Sequence, residues 1–159
     1  MIIKGIVAED FINYKDPSMF IIFPYCNFKC EKDCGKPGIC QNLDVIKQKN
    51  IDISYEDIVD FYLKNDITKA LVLGGLEPFD SFQDLENLIK CFRDKTNDVI
   101  VVYTGYNKEE IKKEIEELKN NFSNIIIKFG RFIPNQKSHF DEVLGVYLAS
   151  DNQRGEKIS

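Results

Sequence analysis

Short apolar runs alternate with amphipathic stretches along most of this chain, and that alternation limits its fold more than any other feature. Met19–Phe23, Ala70–Leu73, Val99–Tyr103, Ile125–Phe129 and Val143–Leu148 have the length of strands and are rich in β-branched and aromatic residues. The stretches between them open on helix-start signals. Ser54 with Asp57 precedes Ile58, Phe61 and Tyr62. Ser81 with Asp84 precedes Phe82, Leu85, Ile89 and Phe92. Asn107 precedes Ile111, Ile115, Leu118 and Phe122, with Lys and Glu on the solvated face. A short helix is expected within Leu43–Lys49 and a strand within residues 2–8. Strands that alternate with helices imply right-handed βαβ units and a parallel sheet. The expected fold class is therefore α/β, a partial (β/α) barrel or open parallel sheet. It forms a single domain over residues 1–159, with a polar C-terminal tail at 149–159.

This topology brings the strand-end loops to one edge of the sheet, where α/β folds bind ligands. The loops are the cysteine segment at 24–42, Gly74–Pro78, Thr104–Tyr106 and Gly130–Arg131. His139 and Arg131 themselves read as surface residues.

Charge narrows the partners. The net charge is −5 with no basic stripe, which argues against nucleic-acid binding. No apolar run reaches the roughly 18–20 residues that span a bilayer, so no membrane partner is expected. The opening MIIKGIVAEDF carries no export signal, so a cytoplasmic location with reduced thiols is expected. In a reduced compartment, clustered cysteines are metal ligands or redox groups more often than disulfides.

Four of the five cysteines, Cys26, Cys30, Cys34 and Cys40, lie in the segment PYCNFKCEKDCGKPGICQN. Thiolates suit zinc and iron–sulfur clusters alike, and the spacing by itself leaves both open. Cys91, next to Phe92 in a helical pattern, reads as a small buried hydrophobe.

The neighbouring residues add a resemblance that covers most of the chain in order. Cys26-Asn27-Phe28-Lys29-Cys30 resembles the first part of the radical S-adenosylmethionine (SAM) enzyme motif. Gly74-Gly75-Leu76-Glu77-Pro78 resembles the Gly-Gly-Glu-Pro stretch of the same superfamily, with Leu76 as an extra residue. Tyr103-Thr104-Gly105-Tyr106, Gly130-Arg131-Phe132 and Ser150-Asp151-Asn152-Gln153-Arg154 resemble segments of the anaerobic ribonucleoside-triphosphate reductase activating proteins.

The resemblance implies a 4Fe–4S cluster held by three cysteines, with SAM on the open iron. It implies a deoxyadenosyl radical that takes a hydrogen from a glycine of a glycyl-radical enzyme, the large subunit of an anaerobic ribonucleotide reductase. An electron donor such as flavodoxin is the other implied partner. Gly74, Gly75, Glu77, Tyr103, Thr104 and Gly105 are the expected SAM-facing residues. Cys26 and Cys30 are expected cluster ligands, and Cys40 and Cys34 compete for the third position. Cys40-Gln41-Asn42 matches the Cys-x-Asn form of many relatives, while Cys34 gives the more compact spacing. No paired general acid and base and no Ser/Cys–His arrangement is apparent, which fits a cofactor that carries the chemistry. Two other readings are a radical SAM enzyme acting on another protein or a small molecule, such as a deazapurine precursor, and a non-catalytic zinc or cluster module.

Overall fold

A computed structural model describes all of residues 1–159. The chain begins with β1 (Ile2–Ile3), β2 (Gly5–Asp10) and β3 (Ser18–Phe23), then α1 (Lys29–Cys34), α2 (Leu43–Ile46), β4 (Ile51–Asp52) and α3 (Tyr55–Leu63). It continues through β5 (Ala70–Gly75), α4 (Phe82–Arg93), β6 (Val99–Tyr103), α5 (Lys112–Asn121) and β7 (Ile125–Phe129). It ends with β8 (His139–Asp141), β9 (Val146–Leu148) and β10 (Arg154–Lys157).

The main sheet has the order β10-β7-β6-β5-β3-β2. Its centre, β3, β5, β6 and β7, is parallel, and both edge strands run antiparallel. The expected α/β class holds, as an open mixed sheet with a parallel middle. Strands buried on both faces read as continuous apolar runs; β5 does, and β7 does but for Lys128. On the outer face, α3, α4 and α5 pack Ile58, Leu85, Phe92, Ile115 and Leu118 against Leu71, Leu73, Ile100, Val102 and Ile127. On the inner face, Tyr14, Leu144 and Leu148 cover Ala70, Val72, Val101 and Ile126.

The helix starts follow their capping chemistry. Ser54 Oγ accepts the Asp57 N–H at 3.0 Å at the head of α3. Asn107 and Glu110 form a capping box before α5, where the Asn107 N–H donates to Glu110 Oε2 at 2.8 Å. Ser81 does not cap α4. A single 3₁₀ turn, Pro78–Ser81, comes first, and Glu77 caps it by accepting the Phe79 N–H at 3.2 Å. Pro78 favours this placement because a first-turn proline has no N–H to satisfy.

Three segments depart from the sequence reading. Residues 2–8 form two strands, β1 against β4 and β2 against β3. The run from Val143 supplies no central strand. Only Val146–Leu148 is extended, in a hairpin with β8 that lays Leu144 and Leu148 on the inner face. The polar tail supplies the sixth strand, β10, on the β7 edge. An edge strand draws its partners from backbone N–H and C=O groups and needs no apolar alternation, so a propensity reading passes over it. Gly155 fits β10 closely: a Cβ there would lie 2.7 Å from Leu144 and 2.8 Å from Asp141 Oδ1. No helix is long and apolar enough to cross a membrane.

Candidate cluster site

Beyond Phe23 the chain leaves the sheet as the cysteine loop. Its helices α1 and α2 bury no residue, so apolar packing does not hold the loop in place. Polar ties do. The Glu77 N–H donates to Tyr25 O at 2.8 Å. Asn27 donates twice to Asp80, from its backbone N–H at 2.7 Å and from Nδ2 at 3.1 Å. The Tyr106 hydroxyl donates to the same carboxylate at 2.7 Å. Around α1, Lys29 pairs with Glu110, Arg131 Nη2 donates to both Glu110 oxygens at 2.6 and 2.7 Å, and Arg131 Nε lies 3.1 Å from Asp33. At the far end, Asn42 Nδ2 donates to Gly75 O. The loop is thus pinned to the connections after β5, β6 and β7.

All five cysteines are free thiols. Cys26 Sγ accepts the Phe28 N–H at 3.3 Å and Cys40 Sγ accepts the Asn42 N–H at 3.4 Å, each from the residue two positions on. Left-handed Phe28, at φ 56°, aims the first of these N–H groups. Burial pushes the Cys26 thiol up to about 12, with Glu77, Asp80 and Cys30 adding to the rise and the Phe28 N–H opposing it. Burial and then the nearby Cys40 raise the Cys30 thiol, while the Glu31 N–H opposes. Cys30 thus lies near Cys26 and near Cys40, and Cys26 and Cys40 each receive a backbone N–H. Cys34 ends α1 one helical turn after Cys30. No three acidic, histidine or cysteine side chains are drawn together as a preformed ion site. The donor chemistry fits an iron–sulfur cluster, since soft sulfur with N–H groups aimed at it is the usual cluster environment. Thiols held protonated must lose their protons as metal binds.

Beside the loop lies a cleft of about 40 Å³, lined by Cys26, Cys30, Lys29, Glu77, Tyr106 and Arg131, with Asn27 and Gly105 completing it. A wider groove of about 470 Å³ also reaches Cys26, against Tyr25, Phe28, Ile46 and Leu76. Glu77 is 6% exposed and accepts from Thr104 Oγ1 at 2.7 Å, the Gly105 N–H at 2.8 Å and the Phe79 N–H. Burial raises its carboxyl to about 7 against these donors, which favour the charged form. The extra residue Leu76 thus leaves Glu77 tying the connection after β5 to the connection after β6.

The expected residues divide by position. Cys26, Cys30, Glu77 and Gly105 meet in the cleft. Thr104 is buried one hydrogen bond behind it. Gly74 and Gly75 form the end of β5, where Gly75, at φ 83°, lies so close to Ile22 that a Cβ would stand 2.5 Å from Ile22 Cγ2. Tyr103 points to the inner face, and its hydroxyl donates to Asn13 O at 2.6 Å. Arg131 is a correction. It is not a surface residue but 9% exposed, in the cleft and bound to Glu110. Asn152 and Gln153, in the tail, are ordered against the Gly130 turn, donating to Arg131 O at 2.9 Å and Gly130 O at 3.2 Å. Sequence reasoning missed Asp80 and Glu110. The capping-box spacing from Asn107 marks Glu110, while nothing in the sequence marks Asp80.

A family model, the 4Fe-4S single cluster domain, matches residues 18–154. That span holds every loop of the site, and the chain belongs to this family. The family match indicates a 4Fe-4S cluster domain. No curated protein and no solved structure matches the chain.

Proposed function

We propose that the protein is a radical SAM activating enzyme that generates a glycyl radical on an anaerobic ribonucleotide reductase. The observation that carries this reading is the convergence of the cysteine loop, the Gly74–Gly75 turn and the Thr104–Gly105 turn, joined by Asn42 and Glu77. A cluster held by the loop cysteines would supply the single electron needed to cleave a carbon–sulfur bond of SAM, and the deoxyadenosyl radical so formed would take a hydrogen atom from a glycine of the partner.

The chain's own residues hold and orient. Cys26, Cys30 and Cys40 are the proposed cluster ligands. Their support is the N–H to sulfur bond that Cys26 and Cys40 each accept from the residue two positions on, together with the proximity of Cys40 to Cys30. Cys34 then stays outside the set. Gly74 and Gly75 present backbone without a Cβ at the edge facing the loop. Glu77 fixes Thr104 and Gly105. The inner face, which in a wider barrel could hold a small substrate, is filled by Val72, Val101, Ile126, Leu144 and Leu148. This favours a polypeptide substrate that approaches the exposed loop over an enclosed small molecule. Flavodoxin or a similar one-electron carrier is the proposed donor.

The test is anaerobic reconstitution, reduction and incubation with SAM. The expected product is 5′-deoxyadenosine, and a glycyl radical signal appears when the reductase is added. A fully loaded, reduced protein that leaves SAM intact overturns the reading.

A further inference from the structure

The cysteine loop is charged against the trend of the chain. Residues 24–50 hold five lysines and three acidic residues, while the remainder holds 16 basic and 23 acidic residues. All three acids of the segment are engaged within the protein. Glu31 Oε1 accepts the Gly38 N–H at 3.0 Å and the Cys40 N–H at 3.4 Å. Asp33 pairs with Arg131 at 3.1 Å, and Asp44 pairs with Lys47 at 3.0 Å. Lys29 turns to Glu110. Lys32, Lys36 and Lys49 remain. They are exposed, and none of them makes an ion pair. None of them lines the cleft of Cys26 and Cys30.

Position gives these charges a use. Lys32 lies on α1 between Cys30 and Cys34, and Lys36 lies between Cys34 and Cys40. Lys49 follows α2, whose exit is held by Lys4 Nζ donating to Ile46 O at 3.1 Å and Gln48 O at 2.6 Å. Neither α1 nor α2 buries a residue, so the segment is open to a partner. We infer that Lys32, Lys36 and Lys49 form the docking surface for an acidic one-electron carrier protein, which reduces the cluster through the loop that holds it. The inference deepens the proposed function. It rests on the loop cysteines holding the cluster and is independent of what the cluster then does to SAM.

The physics is that of steering. An acidic partner is repelled by an acidic surface and attracted where acids are neutralised in place and lysines are free, which orients the encounter as well as speeding it. Electron-transfer encounters are small and short-lived, so a few exposed charges suffice. Hydrogen transfer needs its reacting atoms in contact at the cleft, whereas an electron can cross the loop. Lysines outside the cleft therefore suit a carrier better than the substrate polypeptide. The step balances with one electron. The flavin hydroquinone anion of a carrier such as flavodoxin becomes the neutral semiquinone, the oxidised cluster gains the electron, and no bond or proton changes hands.

The experiment has two arms. In the first, oxidised, cluster-loaded protein and oxidised flavodoxin are joined by a zero-length carbodiimide, and the coupled lysines are mapped by mass spectrometry. Lys32, Lys36 and Lys49 should couple, and high salt should abolish the coupling. Coupling at other lysines and at none of these three overturns the inference. In the second arm, reduction of the cluster by flavodoxin hydroquinone is followed by anaerobic stopped flow. The loop variant is Lys32→Glu/Lys36→Glu/Lys49→Glu, and its glutamine counterpart carries the test if the glutamate form does not load cluster. The control is Lys64→Glu/Lys95→Glu/Lys119→Glu, with the same change in net charge at exposed lysines near the C-terminal ends of α3, α4 and α5. Iron content and reduction by dithionite confirm a normal cluster in each. The loop variant should react about tenfold more slowly at low ionic strength and lose the parent's fall in rate with salt. The control should keep that fall and be slowed far less. Equal rates for parent and loop variant, or an equal loss in the control, overturn the inference. So does an unchanged carrier rate with a lost glycyl radical signal, which would give the lysines to the substrate polypeptide. Dithionite needs no docking surface. A parent that shows both effects and, reduced by dithionite, leaves SAM intact would therefore contradict the proposed function alone.

Discussion

Helix α1, which lines the cleft with Lys29 and Cys30, and strand β5, whose exit turn carries Glu77 into it, share almost no design. Five of the six residues of β5 are buried, and the sixth is the turn glycine Gly75. None of the six residues of α1 is buried. The strand is held by apolar packing on both faces, which is cooperative and insensitive to salt. The cysteine helix is held by Asn27, Lys29 and Asp33 through Asp80, Glu110 and Arg131. Each of those polar ties is worth about 1 kcal/mol net. The difference suits a cluster loop. A rigid sheet fixes where the cofactor must sit, while a loop held mainly by polar contacts and metal can rearrange as metal arrives. Much of the loop's stability is then expected from the cluster itself, as in other small metal-bound folds.

Substitutions can break this comparison, and their expected effects descend from the sheet to the loop. Phe92, on α4, is fully buried and meets the Tyr62 ring edge-on at 4.8 Å. Phe92→Ala should cost about 3–5 kcal/mol in urea unfolding, because it removes packed surface and leaves a cavity. A cost under about 1 kcal/mol would mean that the outer-face core is not packed as described. Gly75→Ala should cost about 1–3 kcal/mol, since φ is 83° and the new Cβ would meet Ile22. Its effect should reach cluster loading too, because Gly75 O holds Asn42.

Asp80→Ala leaves the global unfolding transition nearly unchanged and acts on the loop. It frees three donor groups, two of Asn27 and one of Tyr106, for a local loss of about 1–2 kcal/mol. Limited proteolysis of the cluster-free protein should cut within residues 24–42 several-fold faster, with the sheet intact. Equal cutting rates would remove Asp80 as an anchor.

The smallest effect is a pH dependence. Hydrogen bonds from Arg131, then from Lys29 and the Asn107 N–H, hold Glu110 down at about 2 against the cost of its burial. The folded state therefore holds this proton less tightly than the unfolded state does. The stabilisation is present above the ordinary carboxylate range and is lost as pH falls toward about 2. Glu110 is 26% exposed, and solvent screening reduces the effect to about 1 kcal/mol. Glu110→Gln should flatten that part of the acid unfolding curve, and an unchanged curve would show that the network contributes nothing.

The same contrast explains what the sequence made legible. The parallel centre was readable because Met19–Phe23, Ala70–Leu73, Val99–Tyr103 and Ile125–Phe129 are apolar in the manner of strands buried on both faces. The cysteine loop and its glycine turns were readable because few side chains do the work of Cys and Gly. Strand β10 was hidden, since Arg154-Gly155-Glu156-Lys157 pairs through backbone and carries no pattern. Arg131 passed for a surface residue because its burial depends on Glu110, far away in sequence. Asp80 was invisible for the same reason, as its partners Asn27 and Tyr106 come from two other connections. Long-range polar ties leave no periodicity to read.

The central claim is that three cysteines of the loop hold a cluster whose remaining iron is open to SAM. Paramagnetic resonance of the reduced cluster tests it most directly, recorded with and without SAM for the parent, Cys34→Ala and Cys40→Ala. The account predicts that SAM changes the spectrum of the parent and of Cys34→Ala, while Cys40→Ala loses that change. A cluster that needs all four cysteines and gives the same spectrum with and without SAM would contradict it.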